Sequence, residues 1–471
     1  MARGRTVASL FMLVILPLVM AADDPRRDLT AAVDAAALQP AESLPPLEVT
    51  ETPLVKLPPE WTRGLSCSSP DMKRFAFTLR RDGKFLAVVD GVEGPEYDEM
   101  RCWGMEFSPD SKHIVYGARR GRKVSAVIDG VEGQPYESLG WLRFSLDSKR
   151  MAYAAYTGKE WFAVVDGVEG KHYDDVNGLS FSPDSKRTAY EAHIGKEWFA
   201  VIDGVEGPRY TMMTGSIVFS PDSKRTAYVA GNGEKWSVVI DGVEGTGYND
   251  VRWVGFSPDS KRLAYTARIG SKELVVMDGV EGRRYDSAGP LRFSPDSRRA
   301  AYRASVGDEW FVVIDEVEEP RFDSCGDPLF SPNSKRVAYE AKQGPEWLAV
   351  IDGVDGPGCV EGGWLQFSPD SKRTAYWANT DGGWFVVSDG AQGRKCDKPA
   401  DLRFSPDSRH LAYGAEKGEK WFLAVDDRQS KGYESLVGGV KFDGADLLKT
   451  RAIRDGQLFL IELDLTKIPK N

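Results

Sequence analysis

Four histidines, five cysteines and a recurring set of Asp-Gly pairs are the residues of this 471-residue sequence best suited to chemistry. A zinc site needs His or Cys ligands converging at short spacing. His113 and His410 each stand in a turn where most other copies of that turn have Arg, while His172 and His193 lie in separate segments. The cysteines (Cys67, Cys102, Cys325, Cys359 and Cys396) are odd in number and widely spread, which is not a disulfide framework. Cys359 and Cys396 stand 37 residues apart at equivalent places, either bridged or, as adjacent repeat units would favour, free and buried. No G-x-S-x-G elbow, phosphate-binding glycine loop or calcium-loop spacing is present. The sequence therefore assigns no catalytic residue, no metal ligand and no cofactor.

Asp166, Asp203, Asp241, Asp278, Asp352 and Asp389 each precede Gly at the same turn. A ring of carboxylates would suit a cation, but Asp-Gly is a common turn pair, and a neighbouring Lys-Arg offers ion-pair partners. Glu316 and Glu319 replace both glycines of one D-G-V-E-G copy, so positive φ is not expected to require glycine there. Trp141, Trp253 and Trp364 stand three residues before a repeated Phe, and Trp103 stands four before its own. Such aromatics either stack on sugars and anchor peptide side chains or plug a wide ring; these four are the candidate binding residues. The Trp set Trp161, Trp198, Trp236, Trp310, Trp347 and Trp421 recurs too regularly to mark one site and reads as packing.

What positions these residues is a repeat. F-S-P-D-S-K-R or a close variant begins at Phe107, Phe144, Phe181, Phe219, Phe256, Phe293, Phe330, Phe367 and Phe404, spaced by 37 or 38 residues. A weaker copy begins at Cys67 and a decayed one at Phe442. In the copy from Leu179 to Gly215, Ser182-Pro183-Asp184-Ser185 makes a turn, because Pro presets φ and the Ser and Asp side chains bond nearby N–H groups. Thr188 to Ala192 reads as a strand. Trp198 to Ile202 is apolar on both alternating faces, which suits a strand between two layers. Asp203-Gly204 turns the chain again, and Pro208-Arg209-Tyr210 begins a weaker fourth strand. A small Ala in each second strand (Ala152, Ala189, Ala227, Ala264, Ala301, Ala338, Ala375, Ala412) is expected to admit Trp and Phe from a neighbouring unit. The reading is all-β: a β-propeller of about eleven ~37-residue four-stranded repeats, as one large ring or two fused rings. Pro53 to Leu57 is expected to supply the fourth strand of the last unit and close the ring.

The ends and the charge set the context. Arg3 and Arg5, an apolar run from Val7 to Met20 and then Ala21-Ala22 have a signal-peptide layout. Residues 1–22 are read as the signal peptide, 23–50 as a flexible linker and 51–467 as the propeller. The apolar run is short for a membrane span, so no span is expected after cleavage, and the expected location is the periplasm or the exterior. A net charge of -10 disfavours nucleic acid as a partner.

The motif resembles the TolB-like, WD-like propeller repeats of bacterial envelope proteins, close to F-S-P-D-G-K-x-[IVL]-A-[YF], and the resemblance covers nearly all of the chain after the linker. It departs in having Ser111, Ser148, Ser185, Ser223 and Ser260 where the family has Gly, in its shorter unit, and in having no counterpart of TolB's N-terminal α/β domain. The turns Ser-Pro-Asp-Ser-Lys-Arg and Asp-Gly-Val-Glu-Gly are nearly constant and share one face; the other two sets of turns vary and form the opposite one, where a partner would be recognised. The expectation is an exported binding or scaffold protein that recognises a protein or a glycan there. An enzyme with a channel-located active site (polysaccharide lyase or hydrolase) and a purely structural envelope component are the alternatives.

Overall fold

The computed structural model describes residues 46–468 except 60, 62–64, 101–103, 381 and 427. The leader, nearly all of the expected linker, and Trp103 lie outside the described residues. Eleven antiparallel sheets follow one another along the chain as blades 1–11. Blade 4 is representative, with strands Asp175–Phe181, Thr188–Ile194, Glu197–Ile202 and Val205–Glu206, the last extended by a bridge between Trp198 and Tyr210. First strands of neighbouring blades touch one another at several junctions, as Asp175–Phe181 touches the first strand of blade 5, which places them innermost around a single channel.

The N-terminal strand Thr50–Lys56 pairs with Gln457–Asp464 and is the fourth strand of blade 11. Blade 11 in turn packs on blade 1: Arg451 Nη1 donates to the Arg74 carbonyl at 3.4 Å, and Lys441 Nζ bonds the Pro70 carbonyl. The chain therefore forms one closed ring. The first copy is in register one residue later than its sequence suggests: Ser68, not Cys67, pairs with Phe75 at the place where Phe181 pairs with Thr188. A serine at the Phe position hides that register.

The constant turns are held locally and across blades. Ser182 Oγ donates to Asp184 Oδ1 at 2.6 Å and accepts from the Arg187 N–H at 3.0 Å. Asp203 Oδ1 accepts from the Thr188 N–H, and Oδ2 accepts from Arg187 Nε at 2.8 Å. Asp203 and Gly204 both have positive φ, as a type I′ turn requires. Glu316 also adopts φ +69° in its copy, so the place keeps its left-handed backbone without glycine, as expected; the position of Glu319 has no positive φ. Arg187 Nη1 then reaches blade 5, donating to the carbonyls of Ser223 and Lys224 at 3.1 and 3.0 Å while its guanidinium lies over Phe219. In the two copies with His113 and His410, the imidazole bonds the turn Asp at 2.7 and 2.5 Å, an Arg-like structural role.

Serine in place of glycine now has a reason. Ser185 sits at φ +64°, a conformation that costs a side-chain residue about 1–2 kcal/mol. Its hydroxyl accepts from the Asp147 N–H of the preceding blade at 3.0 Å. Among the described residues nine such clips run around the ring. Ser185→Ala keeps the strain and orphans the Asp147 N–H, a loss of about 1–3 kcal/mol; Ser185→Gly removes strain and bond together. Denaturant unfolding should rank the variants serine first, glycine second, alanine last, and an alanine variant at or above the glycine one would refute the clip.

The alanines admit aromatic rings from the next blade: Ala189 is buried among Tyr210, Ile217 and Tyr228 with Phe219 packed against them, and Ala301 is buried with Phe330 of blade 8. The third-strand tryptophans are half-buried beside the variable turns, as in Trp198 on His193 at 4.5 Å and Trp161 on Tyr156 at 5.0 Å. Each strand-three Trp bridges through its backbone to the fourth strand, and Trp161, Trp236, Trp310 and Trp347 pack beside the tyrosines against the buried clusters of the blades.

Candidate binding surface

The channel wall carries the sequence-selected tryptophans in three different blades. Trp141 belongs to blade 3, in the gap between the strand segments Ser138–Leu139 and Arg143–Phe144, while Trp253 lies within the first strand of blade 6 and Trp364 within that of blade 9. They are positioned by the same local device, a break in the pairing of first and second strands, seen between Gly363 and Gln366 in blade 9. Gly104, Gly178, Asp401 and Gly439 occupy the Trp364 position in other blades, all with positive φ. Trp364 adopts φ +61° there, although a bulky side chain disfavours it, and it is 55% exposed. Trp141 is 58% exposed and lies beneath the Arg143 guanidinium at 5.6 Å. Trp253 differs: it is half-buried, packs on the core between blades 6 and 7, and lies along its own strand over Gly255.

Around them the wall is polar and largely self-paired. Arg292 meets Asp327 at 3.5 Å and Arg403 meets Asp401 at 3.2 Å. Two acids one turn further into the blades are less well matched. Glu191 is buried, its Oε1 has no hydrogen-bond partner, and burial, aided by Asp175, pushes its carboxyl up to about 7. Glu340, the equivalent residue of blade 8, is raised for the same primary reason.

Cys325, Cys359 and Cys396 are free and buried, and Cys67 is free. Burial pushes Cys67 up to about 12 and Cys325 and Cys396 up to about 11, which removes their thiolate nucleophilicity at neutral pH. Among the described residues no three His, Cys, Asp or Glu side chains gather as a metal site.

Sequence reasoning missed the cleft between blades 5 and 6, where Thr214, Gly215 and Ser216 face Asp250, Arg252 and Trp253. The one signal available was the single 38-residue spacing, from Phe181 to Phe219, which marks an extra residue in this strand.

These features define an eleven-bladed β-propeller, a fold that supports binding or scaffolding in general. No family model and no curated protein matches the sequence. Among solved structures, the chain is similar to a eukaryotic initiation factor at 12% identity, covering 81% of this chain and 92% of that one, with a TM-score of 0.39. It is also similar to TolB from Acinetobacter baumannii at 14% identity, covering 61% and 79%, with a TM-score of 0.26. The β-propeller domain of the Trilobed protease from Pyrococcus furiosus matches at 12% identity, covering 54% and 94%, with a TM-score of 0.29.

Proposed function

We propose that this chain is an exported binding or scaffold protein that recognises a protein or glycan partner through exposed aromatics of its channel wall and the variable turns beside them. Trp364 carries the reading. A tryptophan in a left-handed conformation, more than half exposed, carries backbone strain that glycine at the same place would not. Its retention makes sense for contact with a partner, and the exposed Trp141 in blade 3 offers a second anchor of the same kind. The leader layout at Arg3 to Ala22 supports export.

The test begins with the exported chain, recovered with its N-terminus at Ala22 or Asp23, bound in parallel to a glycan array and to cross-linked envelope proteins. Trp364→Gly should lose capture by roughly tenfold, and its melting temperature should hold or rise by about a degree as backbone strain is relieved. A variant that binds like the parent would move the tryptophans to packing and leave a structural envelope role as the better account.

A further inference from the structure

The cleft between blades 5 and 6 has a volume of roughly 490 Å³, within the ~300–1,000 Å³ range of small-molecule sites. It exists because the first strand of blade 5, Met212–Phe219, leaves the ladder between Thr214 and Val218. The residues in that stretch include Thr214, Gly215 and Ser216, all exposed and too small to fill the space.

Across from them, blade 6 presents a fixed polar group and an aromatic shelf. Arg252 Nε bonds Asp250 Oδ2 at 2.9 Å, and its Nη1 meets Glu273 Oε1 at 3.1 Å. Glu273 is in turn anchored to blade 7, its Oε2 accepting from the Ala288 N–H at 3.0 Å and from Ser287 Oγ at 3.1 Å. Arg268 Nε stands 3.8 Å from Asp250. Two guanidiniums and two carboxylates thus balance, and the cleft has no net charge to offer an ion. The Trp253 indole is held flat along its strand, because a Cβ at Gly255 would come within 2.6 Å of its Cζ2. Trp236 lines the same cleft.

An indole shelf beside hydroxyls, a carboxylate and a pre-oriented guanidinium, with no net charge, fits a neutral, hydroxyl-rich ligand with one apolar face. We infer that this cleft binds a short neutral saccharide, its C–H face on Trp253 and its hydroxyls on Asp250, Arg252, Thr214 and Ser216. The inference rests on the binding role proposed above and names a second site for it, separate from Trp364.

Calorimetric titration of the exported chain with cello-, xylo-, manno- and chitotetraose tests this. One of the four should bind, and Asp250→Asn should weaken it by roughly tenfold. Gly255→Ala keeps the indole but displaces it, and Ser216→Trp fills the space without removing a polar partner of Arg252; both should weaken binding similarly. Trp253→Ala also disturbs the core between blades 6 and 7, so the other three variants decide. Absence of binding by all four sugars, or parent-like binding by the three deciding variants, overturns the cleft assignment. If partner capture is still lost in Trp364→Gly, the channel-wall role survives that failure; if both disappear, both readings fall.

Discussion

Removal of residues 46–57 is expected to open the ring, giving a chain that self-associates and unfolds in more than one transition. Leu47, Val55 and Leu57 are each at most 7% exposed and pack on blades 10, 11 and 1. At about 1.5–3 kcal/mol per buried side chain, their loss alone amounts to about 4.5–9 kcal/mol. The backbone is tied as well: the Leu47 N–H donates to the Gln429 carbonyl and the Leu57 N–H to the Gly456 carbonyl, both at 2.8 Å. Glu51 adds the closing copy of a repeated contact. It accepts from Tyr433 Oη at 2.7 Å, as Glu169 accepts from Tyr136 one blade back, and it is held by Arg454 and Lys431. Burial raises the Glu51 carboxyl, but these hydrogen bonds outweigh it and the net shift is downward. Without the N-terminal strand, Gln457–Asp464 becomes a bare edge that templates pairing with another chain. Calorimetry and size-exclusion chromatography read the result. A monomer with one transition near the parent's temperature would show that blade 11 closes the ring without it.

Glu191→Gln is expected to stabilise the protein at pH 8 by about 1–3 kcal/mol and to change little at pH 4. The folded state raises this carboxyl to about 7 through burial and then through Asp175. A raised folded pKa means that the group's favourable contribution is complete below the unfolded value near 4.3 and is lost as pH climbs through about 7. Glutamine keeps the shape and has no charge to bury. The turn aspartates act in the opposite direction: the Ser108 hydroxyl and the Lys112 N–H hold Asp110 down at about 2, and Asp147, Asp184, Asp222, Asp259, Asp296 and Asp370 are lowered in the same way. Their support is present above about 3.9 and fades as pH falls toward the folded values. Guanidinium unfolding of parent and variant at pH 4 and pH 8 measures the first effect; an equal change at both would exclude titration of Glu191 as its source.

Fold and site were legible to different depths, for physical reasons. Turn chemistry is local, so Ser-Pro-Asp-Ser-Lys-Arg and Asp-Gly announced blades, strand order and even the closing strand before any coordinates. The choice between one ring and two depends on how blade 11 meets blade 1, through Arg451, Lys441 and Phe75, none of which belongs to the repeated pattern. The exposed tryptophans could be located from their spacing, but Trp141 and Trp364 could not be told from Trp253, because what buries Trp253 is a glycine two residues on and the core of the next blade. The cleft was harder still, since it is made by what Thr214, Gly215 and Ser216 fail to fill.

The serine clips bear on how such a chain arises. Each runs from the turn of one blade to the same turn of the next, and blade 3 joins blade 4 as blade 7 joins blade 8. Among the described residues the junctions flanking blade 11 lack the clip, where Asp443 to Asp446 replaces the usual turn and Met72 stands at the serine position. Unequal crossing-over between two copies of the underlying DNA repeat would thus delete or add a whole blade while every new junction keeps its native chemistry. The number eleven is written in no single unit; it is bounded by ring curvature and by one specialised clasp, which leaves copy number free to drift in descendants while the clasp stays put.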